Sequence, residues 1–360
     1  MPDLPLAGVR VLDMTRLLPG NYATVILVEL GAEVVKVEAP EGDGTRWVPP
    51  HLASGESGAF VQLNRGKASR VVDLKCQEGR DAFAELVTDS DVLVDSFRPG
   101  VLDRLGFGAQ RLRELRPELV HVTIDAYGSG GELEQVPGHD LNAIGYAGVL
   151  TLGGTPALPG LQVADLAAGL HAALAVLAGL RQSAQGHFVH SEVAMVDAAL
   201  SLAQLPLGGW LATGESPDMP WDLTGRWACY EVYECADGLW LTVGALEPKF
   251  FAAILDRIGL TEWKAAQYDP AKQPELRQTL RQEFAGQPRS HWLAELAFED
   301  TCVGPALTLA EAMAHPNLRS RPVLRRVEAA DGSLHEVFAA VPWLVPEQDE
   351  PTRAPALGQG

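Results

Sequence analysis

The chain has 360 residues, of which 47% are hydrophobic and 21% are charged. This is the balance of a globular protein that buries a sizeable core without help from a metal or a disulfide. Its net charge of −19 argues against a nucleic-acid-binding protein, which needs a basic face, but leaves room for a small anionic ligand held by a few arginines.

The first half of the chain alternates between strand patterns and helix patterns. Residues 1–8 lack a basic segment followed by a long apolar run, so we expect no signal peptide. A Pro19-Gly20 break separates the first strand from the first helix. Apolar runs predict strands at 9–13, 33–37, 71–74, 92–94 and 119–124. Helices are predicted at 22–30, 78–87 and 111–115. This alternation predicts an α/β fold with a large, Rossmann-like open sheet.

The second half begins with helical patterns and then changes character. Helices are predicted at 166–182 and 191–205. The apolar run at 166–180 is too short to cross a bilayer, so we expect no membrane association. An Ala-Asp-Gly turn at 236–238 predicts a hairpin of strands 230–235 and 239–243. Further helices are predicted near 248–258, 275–285 and 290–297, and returning strands at 323–327 and 336–341.

These patterns predict two domains. The large α/β domain covers 1–200 and is completed by 325–360, and a smaller α+β domain covers 225–320. The tail from Pro346 onward is expected to be loosely ordered. The cysteines form no CxxC pair or zinc-spaced cluster, so we expect reduced thiols and no metal. The C-terminus carries no lipidation or peroxisomal signal, and we expect a cytoplasmic protein.

Three polar residues stand at predicted loop–helix junctions: His139, Asp165 and Glu247. Each has a purely structural explanation. Asp140 would cap a helix from Leu141 and leave His139 as a surface residue, while Asp165 would be a plain N-cap. Glu247 would complement the start of a helix that has Pro at its first position. The functional explanation for Asp165 is that the helix N–H groups beside it face a developing oxyanion.

Basic residues cluster near predicted strand ends, at 64–67, 75, 98 and 104. In an acidic protein, such a cluster could hold a phosphate-rich ligand through charge-assisted hydrogen bonds, although scattered solvated charge is the simpler alternative. No GxGxxG follows the first strand and no GxSxG is present, which argues against a nicotinamide dehydrogenase and a serine hydrolase.

Together, these segments resemble the class III, formyl-CoA-transferase-like superfamily of CoA-transferases and racemases. The resemblance covers nearly the whole chain, through segments 6–13, 30–37, 64–67, 73–75 and 98–106. Within that superfamily, Gly138-His139-Asp140-Leu141-Asn142 and the segments 164–169, 230–248 and 300–305 are most similar to the α-methylacyl-CoA racemases. CoA-transferases share the aspartate but usually lack the histidine and the Glu-Pro motif.

The resemblance implies an acyl-CoA racemase or epimerase that interconverts 2R and 2S 2-methylacyl-CoA through an enolate. Racemisation requires acid–base groups on both faces of the α-carbon, and His139 and Asp165 would be these groups. Glu247 would hydrogen-bond the imidazole and set its tautomer. The enolate oxygen would accept from N–H groups at the start of the Asp165 helix.

The same resemblance implies the remaining features of the site. The large domain would bind coenzyme A, which enters as part of the acyl-CoA substrate, so no separate cofactor is expected. The predicted CoA-binding residues are Arg65, Asp73, Leu74, Lys75, Arg98 and Arg104. The family forms interlocked homodimers in which each active site lies between the large domain of one subunit and the small domain of the other, so Glu247 would come from the partner chain.

The chain also departs from the family pattern at the acyl end of the site. Ala143 replaces an aromatic residue, Leu166 replaces a phenylalanine, and Ala39 stands where a basic residue often follows the second strand. Asp125 would add an acidic group near the acyl pocket.

Two alternatives stay open at this point. In a class III CoA-transferase, which moves CoA between carboxylic acids, Asp165 would be the nucleophile. The other alternative is a CoA-binding protein without catalysis.

Overall fold

The computed structural model describes residues 4–215, 221–297, 299–344 and 350–359. The chain divides into two compact units. The first consists of Met1–Val149, Pro159–Gln204 and Arg319–Gly360, and the second of Leu150–Leu158 and Leu205–Leu318.

A six-stranded sheet, parallel at every pairing, forms the centre of the first unit. Its strands are β1 (Arg10–Met14), β2 (Glu33–Glu38), β3 (Ala68–Val71), β4 (Val92–Asp95), β5 (Val120–Asp125) and β6 (Val189–Ala194). They are arranged in the order β3-β2-β1-β4-β5-β6, which is the order of doubly wound sheets. The predicted open α/β sheet is confirmed.

Eight helices accompany this sheet in the described part of the first unit. They are α1 (Leu17–Glu29), α2 (Gly58–Asn64), α3 (Gln77–Thr88), α4 (Val101–Arg104), α5 (Ala109–Leu115), α6 (Asp140–Tyr146), α7 (Val163–Ser183) and α8 (Met195–Ser201). Helix α7 packs against α1, β5 and β6. A Cβ atom on Gly169 would lie 2.8 Å from the carbonyl oxygen of Pro19, so the absence of a side chain there lets α1 and α7 approach closely.

Three sequence predictions in this unit were wrong in type or extent. Helix α1 begins at Leu17 and contains the supposed break, because Pro19 lies in the first turn, where its missing N–H is not needed. The predicted helix at 191–205 begins instead as β6, which pairs with β5 along its whole length. The apolar run at 166–180 was predicted to be too short to cross a bilayer, but it belongs to helix α7, which has 21 residues and is long and apolar enough to do so. The buried alanines of α7 pack against α1 and the sheet.

Buried charges fix the centre of the sheet. The carboxylate of Asp13, on β1, is 3.0 Å from the ammonium of Lys67 and 3.7 Å from that of Lys36. We call these three residues the Asp13 cluster. Burial alone would raise the pKa of Asp13, but the two ammonium groups outweigh it and hold the pKa well below its usual range. Burial lowers the pKa of Lys67 to about 8 despite the attraction of Asp13.

The second unit combines a small antiparallel sheet with helices. Its strands are β7 (Tyr230–Glu234), β8 (Trp240–Gly244) and β9 (Val303–Ala306). The helices of this part of the chain are α9 (Gln204–Thr213), α10 (Pro248–Arg257), α11 (Gln273–Phe284), α12 (Arg289–Leu296), α13 (Leu309–Ala314) and α14 (Pro316–Arg319). The predicted hairpin is confirmed as β7–β8, and the predicted helices correspond to α10, α11 and α12. The sequence analysis missed β9.

The last two strands of the first unit pair with each other, and Val327 of the first of them also forms a bridge with Thr352. They are β10 (Leu324–Glu328) and β11 (Leu334–Phe338), which form a separate two-stranded antiparallel sheet. The sequence predicted both strands, and the sheet they belong to is this small one. The tail was predicted to be loosely ordered, and residues 345–349 lie outside the described part of the chain. The described residues 350–359 are tied to the first unit, where the Ser69 N–H donates to Gln359 and the Gly66 N–H to Arg353.

Candidate active site

A cavity of about 290 Å³ opens where the central strands of the sheet end. Its walls include residues within two positions of the carboxyl ends of β1, β4, β5 and β6, namely Arg16, Ser96, Ala126 and Met195. This is the edge at which open α/β sheets bind their ligands. The loop 136–139 and the first turn of α7 complete the wall. We call this space the catalytic cavity.

His139 lies at the N-cap of α6 and lines the catalytic cavity. The carboxamide oxygen of Asn142 accepts a hydrogen bond from the backbone N–H of His139, at 3.1 Å. This bond holds the backbone of His139 at the helix start, while its side chain remains exposed. The imidazole is therefore placed where a bound molecule can meet it.

Asp165 lines the same cavity from the first turn of α7. The N-cap of this helix is Gln162, so Asp165 is the third residue of the helix and is not the plain N-cap of the structural alternative. The fold thus brings His139 and Asp165 into the wall of a single cavity, although 25 residues separate them in the sequence.

Asp140 connects the two helices that carry these residues. Its Oδ1 accepts the backbone N–H of Ala164 at 2.6 Å and that of Asp165 at 3.2 Å. Asp140 therefore caps α7. The structural explanation in the sequence analysis had instead expected it to cap a helix beginning at Leu141. Because both N–H groups already donate to Asp140, the prediction that N–H groups at this helix start hold an enolate oxygen is wrong for these two groups.

The carboxyl group of Asp165 has an unusual proton affinity. Burial and, to a smaller extent, repulsion from the Asp140 carboxylate together raise its pKa to about 7. The N–H groups that could stabilise its charge serve Asp140 instead. A carboxyl group with a pKa near neutrality both accepts and releases protons under ordinary conditions, which suits general acid–base catalysis.

A second cavity of about 290 Å³ opens beside β1, β2 and β3. It is lined by Asp73, Leu74 and Lys75, three of the predicted CoA-binding residues. The carboxylate of Asp73 accepts the backbone N–H of Lys75 at 3.0 Å, which fixes this short segment. The side chain of Lys75 is exposed and free to meet an anionic ligand.

The three predicted CoA-binding arginines differ in their surroundings. Arg98 lines the catalytic cavity, and Arg104 is exposed at the end of α4. Arg65 is only 2% exposed, and its guanidinium pairs with Glu29 and donates to the backbone oxygen of Gln62. Its donors are used inside the fold, so Arg65 acts as a structural cation here, in contrast to the predicted CoA contact.

Glu247 belongs to the second compact unit. It is the N-cap residue of α10, with Pro248 at the first helical position, and its side chain is exposed. This local geometry is the one expected from the sequence.

Sequence reasoning missed Arg16 and the role of Asp140. Arg16 lines both cavities, and its guanidinium carbon lies 6.0 Å from the centre of the Phe97 ring. Its position immediately beyond β1 was the available signal, since side chains there reach the ligand edge of the sheet.

Among the residues that the structure describes, no group of three or more His, Cys, Asp or Glu could hold a metal ion.

Comparison with known proteins identifies the family of the chain. The model of CoA-transferase family III matches residues 6–360. Acetyl-CoA:oxalate CoA-transferase of Acetobacter aceti is 32% identical, over 90% of this chain and 86% of its own. Alpha-methylacyl-CoA racemase of Mus musculus is 31% identical, over 88% of this chain and 81% of its own. A CAIB/BAIF family protein from Brucella suis has a crystal structure that superposes with a TM-score of 0.85, at 27% identity over 99% of this chain and 97% of the other. The resemblance seen in the sequence is confirmed, and the chain belongs to CoA-transferase family III.

Proposed function

We propose that the protein is an acyl-CoA racemase or epimerase that interconverts 2R and 2S 2-methylacyl-CoA thioesters. The observation that carries this proposal is that His139 and Asp165 share one cavity. One group removes the α-proton, the electron pair moves into the thioester carbonyl to give an enolate, and the other group returns a proton to the opposite face. Asp165, with a pKa of about 7, suits both directions of this exchange.

The cavity beside β1, β2 and β3 is proposed to hold coenzyme A, which arrives as part of the substrate. Lys75 would supply charge to the phosphates, together with Arg98 and Arg104. Arg16, which lines both cavities, would meet the part of the ligand that passes from one to the other.

The active form is proposed to be a homodimer, in which the partner subunit's Glu247 orients the imidazole of His139. Mixing two inactive variants tests this proposal. Asp165→Ala and Glu247→Ala subunits would each be inactive alone, but a mixed dimer would contain one intact site. Recovery of activity on mixing after reversible dissociation supports the shared site, and no recovery in a demonstrated mixed dimer contradicts it.

The reaction is tested by isotope exchange in ²H₂O with (2R)-2-methylacyl-CoA. Enzyme-dependent deuterium at the α-carbon, with formation of the 2S epimer, supports the racemase. His139→Ala should abolish exchange without unfolding the protein. Full exchange in that variant would contradict the role of His139.

A class III CoA-transferase is the second candidate, since relatives include acetyl-CoA:oxalate and succinyl-CoA:glutarate CoA-transferases. In that reaction the Asp165 carboxylate attacks the thioester carbonyl and expels CoA thiolate, which gives a mixed anhydride. The thiolate then attacks the Asp165 carbonyl and releases the donor acid, which leaves CoA on Asp165 as a thioester. Hydroxylamine would trap this aspartyl thioester. Transfer of CoA to an added acid with a trapped Asp165, and without α-exchange, would replace the racemase proposal with this one.

A further inference from the structure

Asp125 stands at the carboxyl end of β5 and lines the catalytic cavity. It is only 9% exposed. Its Oδ1 accepts the backbone N–H of Tyr127 at 3.0 Å and that of Gly128 at 2.5 Å. Gly128 has a φ of 80°, a left-handed conformation that glycine adopts without strain. One carboxyl oxygen thus holds the tight turn 126–128 in shape.

That turn presents Tyr127 to the segment that carries His139. A Cβ atom on Gly138 would lie 2.7 Å from the hydroxyl oxygen of Tyr127 and 2.8 Å from Cζ, so the end of the Tyr127 side chain lies directly against the backbone of Gly138. The Tyr127 ring also meets the ring of Tyr146, at the end of α6, edge to face with 5.3 Å between centroids. Tyr127 therefore contacts both the residue before His139 and the helix that His139 caps.

We propose that Asp125 is a positioning residue for His139, which acts by holding the turn 126–128 so that Tyr127 supports the Gly138–His139 backbone. This proposal rests on the proposed function, in which His139 is an acid–base group. Asp125 itself need not touch the substrate. A misplacement of about 1 Å at a reacting group can lower the rate by a factor of about 10², so loss of this support should lower the catalytic rate.

The second carboxyl oxygen of Asp125 lies in a different environment from the first. Oδ2 is buried and has no hydrogen-bond partner among the described residues. Burial is the main reason that the pKa of Asp125 is raised to about 6, and repulsion from the nearby Glu192, on β6, contributes to that value. The charged groups that share the cavity wall with Asp125 are Arg16, Arg98, Glu134, His139 and Asp165.

The experiment compares Asp125→Ala, Asp125→Asn and Tyr127→Ala in ²H₂O exchange with a 2-methylacyl-CoA. Asp125→Ala should lower kcat by about tenfold to a hundredfold with little change in KM, because positioning and not binding is lost. Asp125→Asn keeps an acceptor oxygen and should restore most of kcat. Asp81→Ala, which removes an exposed carboxylate on α3, is the matched control.

The double variant Asp125→Ala/Tyr127→Ala tests the route of the effect. If Asp125 acts through Tyr127, the double variant should be no slower than the slower single variant. Independent, multiplying losses would overturn the proposal. So would a loss of activity in Asp125→Asn equal to that in Asp125→Ala.

A readout that does not depend on activity separates this proposal from the function itself. The imidazole NMR signal of His139, assigned through its loss in His139→Gln, should shift in Asp125→Ala and Tyr127→Ala but not in Asp81→Ala. A shift without any thioester exchange in the wild-type protein would contradict the proposed function and support the positioning. An unmoved signal, whatever the activity, would overturn the positioning.

Discussion

The first unit contains a buried carboxyl group, Asp13, and a half-buried pair, Asp140 and Asp165, that behave in opposite ways. In the Asp13 cluster, ammonium groups and hydroxyl donors surround the carboxylate and hold its pKa well below the usual range. Asp140 and Asp165, at the start of α7, face each other without such a cation, and the pKa of Asp165 rises to about 7. We call these two residues the acidic pair. A compensated charge stabilises the fold, whereas an uncompensated one is available for chemistry.

The largest expected effect is on catalysis at the acidic pair. Asp165→Asn preserves the shape of the side chain but removes its proton chemistry, so α-proton exchange should fall by a factor of about 10²–10⁴. Circular dichroism and thermal unfolding should show a folded protein. A variant that retains more than half of the wild-type exchange rate would remove Asp165 from the mechanism.

The next effect is on stability, at the Asp13 cluster. Asp13→Asn removes the carboxylate that pairs with Lys67 in the interior, while Lys36 keeps Asp43 at 2.9 Å. The free energy of unfolding should fall by about 3–5 kcal/mol at neutral pH. Since the folded pKa of Asp13 lies below its unfolded value, the wild-type advantage is present above about pH 4 and fades as the pH falls further. Urea denaturation across this range measures it.

A companion substitution checks the cause. Adding Lys67→Met to Asp13→Asn removes the uncompensated ammonium and should recover part of the lost stability. Lys67→Met is also measured in the wild-type background. If it lowers the free energy of unfolding of Asp13→Asn by as much as it lowers that of the wild type, the buried charge is not what destabilises the single variant.

The fold shows which elements can be predicted from the sequence and which cannot. The parallel sheet, the β7–β8 hairpin and the helices α10 to α12 were predictable, because local periodicity and turn residues determine them. Strand β6 was not, since its pairing with β5 overrides a helix-like local pattern. Strands β10 and β11 were found, but they pair as a hairpin across the turn that contains Asp331 and Gly332, a local signal that the sequence analysis did not use.

The site was predictable in its residue types and less so in their environments. His139 and Asp165 could be named from motifs, yet the motif for Arg65 is the same whether its guanidinium meets a ligand or Glu29. The link from Asp140 to α7 joins residues 24 and 25 positions apart, and no local pattern encodes it. Whether a charge is compensated is a property of the folded chain.

A smaller effect should appear in the stability of the acidic pair. The folded pKa of Asp165, about 7, lies above the unfolded value of about 4, so the folded state holds more protons between these values and stability falls as the pH rises through them. Asp165→Asn removes this loss and should be more stable than the wild type by about 0.5–2 kcal/mol above neutral pH. The gain should vanish near about pH 4. A gain of equal size at both ends of the range would point to a cause other than ionisation.

The smallest effect separates the two causes of the raised pKa of Asp165. Asp140→Asn keeps an oxygen that can accept the N–H groups of Ala164 and Asp165 but removes the negative charge. Burial of Asp165 remains, so its pKa should fall from about 7 only part of the way to the usual range. For the epimer that Asp165 deprotonates, the acidic limb of the exchange-rate profile should then move to lower pH, with a plateau close to that of the wild type. Asp81→Asn, an exposed carboxylate on α3, should leave the limb in place. An unmoved limb in Asp140→Asn would mean that burial alone sets the proton affinity of Asp165, and that Asp140 acts only as the cap of α7.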